Sequence, residues 1–238
     1  MANGVTIHLP GWSRSVKWLI LGHTAAYAAW LIFGRGAAVT DAARGWILVP
    51  EEVLEGQAWQ LVSYLALFAN PVSFLLDMIA LWLIGSPLEG RWGPRRFLFY
   101  YAGCGVAGAG IVTLLSLLID PLARAAYVGP DAAILAVLVA WGIVFAEAPL
   151  AFPGSLRVKG KHLLWLMLGL ALFGLVTSPL GFALHGAAVL VGAIWTLGWW
   201  RPGRIRGCVR SLWLKWRARR VRRHLRAVGD ENDRRYLH

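Results

Sequence analysis

Three ionisable side chains lie inside long apolar stretches of this 238-residue chain, and their types could do chemistry. Asp77 and Asp131 are carboxylates, and His185 carries an imidazole. Two carboxylates and an imidazole could form a structural ion pair with one group left over, a divalent metal site, or an aspartyl-protease pair. Because charges are costly in apolar surroundings, each of the three needs either a partner or a function.

The elements that must position these residues are those of a membrane protein. Hydrophobic residues make up 58% of the chain and charged residues 15%, more apolar surface than a soluble domain of this size could hide. A hydrocarbon core needs about 20 apolar residues per helix. The stretches that qualify are 17–34, 69–86, 96–119, 131–149, 162–179 and 182–200. The prediction is an all-α membrane protein with six transmembrane helices in residues 17–200.

Basic residues predict the orientation of the chain. They are concentrated before the first span, after the second and fourth spans and in the tail, all on one side of a six-span layout. Both termini, residues 1–16 and 201–238, are therefore expected to be cytoplasmic. The excess of Arg over Lys and the abundance of Ala and Gly are typical of a GC-rich bacterial genome, so a bacterial inner membrane is expected.

The tail at 201–238 is strongly basic and supplies most of the net charge of +12. Its apolar residues repeat along one face of a predicted helix, with arginines on the other face. This pattern predicts an amphipathic surface helix that binds anionic lipids or, alternatively, an acidic partner, and nucleic acid is not expected. The binding positions expected in the tail are Trp213, Trp216, Arg217, Arg219 and Arg220.

Small residues recur at helical spacing in the third, fourth and sixth predicted spans. Such residues let helix backbones approach closely in lipid, where packing drives association. The expected packing positions are Gly103, Gly108, Ala132, Ala136, Ala188 and Gly192. The outer loop at 35–66 is unusually long and contains a Trp-bearing stretch, so it is expected to lie partly in the membrane interface.

Residues 57–200 resemble the rhomboid family. The segment LEGRWGPRRF at 88–97 follows an apolar helix that opens after WQLVSY, and this order is similar to the second rhomboid helix and the turn after it. The resemblance implies a six-helix rhomboid-like bundle. In that family, a Ser within Gly-x-Ser-Gly-Ala at the start of the fourth helix attacks the peptide and a His on the sixth takes its proton. A His and an Asn on the second helix help to hold the oxyanion.

The matching positions in this chain mostly hold other residue types. The nucleophile motif reads GPDAA from Gly129, so that Asp131 stands where the Ser would be, while His185 matches the base. The His and Asn of the second helix fall on Ser73 and Asp77. A carboxylate is a poor nucleophile toward an amide, and it repels the charge that develops on the carbonyl oxygen. The resemblance therefore implies a degenerate site and a pseudoprotease rather than an enzyme.

Several functions are consistent with this sequence. In a rhomboid arrangement Asp131 would pair with His185, and this structural pair is favoured over a metal site. The leading prediction is a non-proteolytic protein without cofactor or metal that binds transmembrane segments of other membrane proteins, as adaptor, chaperone or accessory subunit. The alternative is an active intramembrane endopeptidase with an unorthodox nucleophile, for which Ser63 and Ser178 are candidates. A third possibility is a structural subunit of a larger membrane complex.

Overall fold

The structure is a computed structural model, and it describes part of the chain. The described residues are 11–33, 45–146, 149–151, 157–159, 165, 169, 172–174 and 176–198. Nearly all of them belong to the first of two compact units, Met1–Thr196, and the second unit is Leu197–His238. The predictions for the basic tail, including those from Trp213 to Arg220, concern residues outside this described set.

Helices dominate the described residues. In chain order they are α1 (Arg14–Phe33), α2 (Pro50–Leu54), α3 (Gln60–Ser63), α4 (Pro71–Ala80), α5 (Ser86–Trp92), α6 (Pro94–Leu115), α7 (Asp120–Ala123), α8 (Asp131–Val144) and α9 (Pro179–Leu197). A 3₁₀ turn, Tyr64–Ala66, follows α3, and a π-helical segment, Leu81–Gly85, joins α4 to α5. Two strands, β1 (Pro149–Ala151) and β2 (Arg157–Lys159), pair antiparallel. This hairpin is an addition to the predicted all-α fold.

Three of the described helices are long and apolar enough to cross a membrane. They are Pro71–Trp92, which contains α4, the π-helical segment and α5, together with Pro94–Leu115 and Pro179–Leu197. Helix α8 is apolar but has only 14 residues. The span predicted at 162–179 falls largely outside the described residues, so the count of six spans stays a prediction.

The helix Pro71–Trp92 changes its hydrogen-bond pattern near its middle. Pro87 has no backbone N–H, and its ring conflicts with the carbonyl of Leu83 one turn earlier. The segment Leu81–Gly85 widens into a π-helix directly before it. A Cβ added to Gly85 would lie 3.0 Å from the ring of Phe97, so this segment packs closely against α6.

Helices α6, α8 and α9 approach one another through small residues. A Cβ added to Gly108 in α6 would lie 3.1 Å from the Cα of Ala188 in α9. A Cβ added to Gly192 in α9 would lie 3.0 Å from the Cβ of Ala136 in α8. Larger side chains would force these backbones apart, as the predicted spacing of small residues implies. The same set includes Ala132, which is fully buried, and Gly103, which is partly buried.

Glu89 links α5 to the start of α1 by hydrogen bonds. It lies in the segment that resembles the rhomboid turn. Its carboxylate accepts hydrogen bonds from the backbone N–H groups of Ser15 (2.9 Å) and Val16 (3.0 Å) and from the hydroxyl of Ser13 (2.5 Å). The first N–H groups of a helix have no intrahelical acceptor, so a carboxylate there satisfies them and favours the helix dipole. The acidic residue of the motif therefore has a structural role.

Candidate functional site

A glycine turn places Asp131 at the start of α8. Gly129 has a φ of 107°, which L side chains rarely adopt, and its N–H donates to the carbonyl of Tyr64 at 3.1 Å. Pro130 is the N-cap, and Asp131 is the first helical residue. A carboxylate is favoured there by the free N–H groups and the positive end of the helix dipole. The local Gly-Pro-Asp sequence therefore accounts for the position of this acid.

Asp131 and His185 are hydrogen-bonded across the gap between α8 and α9. The Nε2 atom of His185 lies 2.9 Å from the Oδ2 atom of Asp131. The two side chains are 18% exposed for the histidine and 43% exposed for the aspartate. This is the pair expected from the rhomboid resemblance, and it connects α8 to α9 at the positions that match the rhomboid catalytic dyad.

A cavity of about 220 Å³ lies beside this pair, large enough for roughly seven water molecules. It contains four of the five residues predicted for the degenerate site, and His185 is connected to it through Asp131. Its lining residues are Phe68, Ala69, Asn70, Ser73, Asp77, Val128, Gly129 and Asp131. The structure therefore brings the predicted site residues together.

Asn70 is a lining residue that was not predicted from the sequence. It caps α4, because its Oδ1 atom accepts a hydrogen bond from the N–H of Ser73 at 2.8 Å. The hydroxyl of Ser73 donates in turn to the carbonyl of Asn70 at 3.0 Å. The signal was present in the sequence, since Asn followed by Pro before an apolar run is typical of a helix N-terminus. The hydroxyl at the position of the family's oxyanion histidine is therefore engaged in a local cap.

Asp77 differs from Asp131 in interacting with the described side chains of Asp131 and His185 only through space. None of them donates a hydrogen bond to its carboxyl group or forms an ion pair with it. Within the described part of the chain, no group of three His, Cys, Asp or Glu side chains is arranged to hold a metal ion. The alternative nucleophile Ser63 donates to the carbonyl of Trp46 at 2.9 Å, and no described serine is hydrogen-bonded to His185.

The segment before α4 is joined by hydrogen bonds to the turn that leads into α8. Leu48 and Tyr127 exchange backbone hydrogen bonds of 3.1 and 2.9 Å. The hydroxyl of Tyr127 donates to the carbonyl of Leu180 in α9 at 2.7 Å, and burial raises the pKa of this phenol, so that it stays a donor. Burial also raises the pKa of Tyr64, with a smaller contribution from Asp131, and its hydroxyl donates to the carbonyl of Gly105 at 3.0 Å. These hydrogen bonds connect the segments next to the site to α6 and α9.

A buried histidine, His23, lies in α1. The Nδ1 atom of His23 is 2.7 Å from the carbonyl of Leu19, and its Nε2 atom is 3.1 Å from the hydroxyl of Tyr101. A neutral ring protonated on Nδ1 would donate to the first group and accept from the second. The carbonyl of Leu65 is also 3.1 Å from Nε2. Both ring nitrogens of His23 therefore have hydrogen-bond partners within the chain.

The family of the chain follows from its helices, this site and a comparison with known families. The Rhomboid domain matches residues 55–202, which is more than half of the chain. No curated protein is significantly similar in sequence to the chain. Rhomboid proteins are normally intramembrane serine proteases, and three of the described helices could cross a membrane. The chain is an integral membrane protein that belongs to the rhomboid family.

Proposed function

We propose that this rhomboid-family protein is a pseudoprotease, which binds transmembrane segments of partner proteins without cleaving them. It would act as an adaptor, a chaperone or an accessory subunit of a membrane complex. The observation that carries the proposal is the hydrogen bond between Asp131 and His185, in which a carboxylate stands at the nucleophile position. The histidine that would activate a serine is engaged by an acid instead.

The chemistry of acyl transfer argues against catalysis at this position. A carboxylate that added to an amide carbonyl would leave again more readily than the amine, because carboxylate is the better leaving group. The oxyanion formed in such a step needs hydrogen-bond donors aimed at it. The cavity instead presents the carboxyl groups of Asp77 and Asp131, and the hydroxyl of Ser73 is bonded within its own turn. Negative groups in this place disfavour the charge that proteolysis must develop.

The remaining features of the proposal concern location. Both termini would be cytoplasmic, with six helices in a bacterial inner membrane. The basic tail, through Trp213, Trp216 and the neighbouring arginines, would bind anionic lipids of the cytoplasmic leaflet. This anchor would hold the membrane domain beside its partners without any contribution from the degenerate site.

A cleavage assay with matched variants tests the proposal. The full chain in liposomes is mixed with a transmembrane substrate that contains a helix-destabilising segment. Wild type, Asp131→Ser, His185→Ala and the double variant Asp131→Ser with His185→Ala are compared. We expect no cleavage by wild type or by His185→Ala. Any activity restored by Asp131→Ser should disappear in the double variant, because it would depend on a serine–histidine pair.

Isolation of partners from native membranes completes the test. A mild-detergent pulldown of the wild-type chain, quantified by mass spectrometry, should recover membrane proteins in reproducible amounts. Cleavage by wild type that is lost in a folded His185→Ala variant would overturn the proposal and favour an endopeptidase with an unorthodox nucleophile. Recovery of no membrane protein would also count against it.

A further inference from the structure

Exposed basic side chains collect at the end of the bundle where α1 begins, α5 ends and α6 begins. We call this group the basic surface, and its members are Arg14, Lys17, Arg91, Arg95 and Arg96. All five residues are exposed. They come from two separate parts of the chain, so the fold, rather than the sequence alone, brings them to the same end of the bundle.

Buried contacts join the three helix ends beneath the basic surface. The carboxylate of Glu89 in α5 accepts hydrogen bonds from the N–H groups of Ser15 and Val16 in α1. A Cβ added to Gly85 would lie 3.1 Å from the Cγ2 atom of Val16 and 3.0 Å from the Cζ atom of Phe97 in α6. Val16 and Phe97 are fully buried, whereas the basic residues next to them in the sequence are exposed. The five cations therefore lie around one packed junction of helices.

No acid among the described residues forms an ion pair with the basic surface. Glu89 is only 4% exposed, and the start of α1 already donates three hydrogen bonds to its carboxylate. The opposite end of the bundle differs, because the Nε atom of Arg124 lies 3.7 Å from the Oε2 atom of Glu51. The positive charge of the basic surface is thus left for something outside the described part of the chain to compensate.

The basic surface lies where two candidate membrane spans meet the edge of the bilayer. The span Pro71–Trp92 ends there, and the span Pro94–Leu115 begins there. The guanidinium carbon of Arg96 lies 5.1 Å from the centroid of the Trp92 ring, which holds this cation over an aromatic face. Tryptophan is enriched at the membrane–water interface, at the level of the lipid headgroups. The cations are therefore at the depth of the lipid phosphates.

We propose that the basic surface binds the headgroups of anionic phospholipids in preference to zwitterionic ones. Guanidinium groups can donate two parallel hydrogen bonds to a phosphate, and the long stems of Lys and Arg reach from a helix end to the headgroups. A zwitterionic headgroup carries its own ammonium group, so only an anionic one compensates the charge of this surface. This binding goes beyond the proposed function, since it involves neither the degenerate site nor the basic tail at 201–238.

Photolabelling with matched lipid probes tests this inference. The full chain is reconstituted in phosphatidylcholine vesicles that contain a trace of photoreactive phosphatidylglycerol or of photoreactive phosphatidylcholine with the same acyl chains. After irradiation the chain is digested with chymotrypsin, and the labelled peptides are quantified by mass spectrometry. Wild type is compared with a variant that has Gln at all five positions of the basic surface. The control is Arg124→Gln, which removes a cation that is paired at the opposite end.

We expect the phosphatidylglycerol probe to label residues 91–96 about fivefold more than the phosphatidylcholine probe, as if one basic residue contributed fully. The variant with five Gln residues should lose this preference, and Arg124→Gln should keep it. Because only the lipid is exchanged, the comparison in wild type does not depend on the folding of any variant. Peptides from 201–238 are quantified separately, so lipid binding by the tail does not contribute to the result.

Two results would overturn the inference. Equal labelling of residues 91–96 by both probes in wild type would show no selection for anionic lipid, and an acidic protein would then be the better candidate partner for this surface. A phosphatidylglycerol preference that survives in the variant with five Gln residues would overturn the assignment to the basic surface. Neither result bears on the proposed function, which the cleavage assay and the pulldown test independently.

Discussion

Two histidines of the described residues, His23 and His185, differ in what surrounds them. His23 is 8% exposed, and neutral groups from α1 and α6 meet both of its ring nitrogens. His185 is bonded to a carboxylate whose side chain is 43% exposed and which borders a cavity with a second acid. Described groups meet both ring nitrogens of the first histidine, whereas the second borders a cavity that holds an acid with no described hydrogen bond.

This difference shows how a structural polar cluster can be separated from a candidate site in a membrane protein. Polar residues in lipid are costly, so a cluster whose donors and acceptors are all matched needs nothing beyond itself. A cluster with an unmatched carboxylate gains from something that binds it. Substitution of His23 should therefore lower the free energy of unfolding more than substitution of His185 or of the two acids.

The largest loss of stability is expected from His23→Leu. This change leaves the hydroxyl of Tyr101 without its acceptor in a buried position and should cost about 2–3 kcal/mol. The free energy of unfolding can be measured by denaturation of the purified protein in detergent micelles. The matched control is Thr24→Val, since Thr24 is exposed and bonds only to the carbonyl of Ile20 one turn earlier. A loss as small as that of the control would contradict a structural role for His23.

His185→Ala should destabilise the protein less, by about 1–2 kcal/mol, because Asp131 is partly exposed and water can solvate it after the change. A double-mutant cycle with Asp131→Asn isolates the interaction of the pair. Hydrogen bonds between helices in membrane proteins give coupling energies of roughly 0.6 kcal/mol on average, and we expect a value in that range. A coupling energy near zero would mean that the pair does not connect α8 to α9.

The long helices could be predicted from the sequence because the span length follows from bilayer thickness. Their ends were less accurate: the third span was expected to reach 119, but α6 ends at Leu115. The residues after it stay apolar, so composition could not mark the end, while the Pro121 that follows Asp120 disfavours continuation of the helix. Apolar length predicts that a helix exists better than it predicts where the helix stops.

The site was predictable only through the family resemblance. Spacing alone cannot bring Asp131 and His185 together, because 54 residues separate them in the chain. The cavity depends on the cap at Asn70 and on a glycine turn, which are local features that hydrophobic patterning ignores. The hairpin of β1 and β2 was missed although Pro153 and Gly154 form a turn signal between its strands, because each strand has only three residues.

The smallest effect is expected from Asp77→Asn, and it should have the opposite sign. The change removes a carboxyl group that has no described partner and that borders a second acid, so the free energy of unfolding should rise by up to about 1 kcal/mol. The control Asp120→Asn, measured in the same denaturation assay, should stay within about 0.5 kcal/mol of wild type. Destabilisation by Asp77→Asn would mean that Asp77 is matched within the chain as His23 is, and the contrast between the two clusters would fail. Stabilisation by Asp77→Asn would show that this acid is retained at a cost to the stability of the fold.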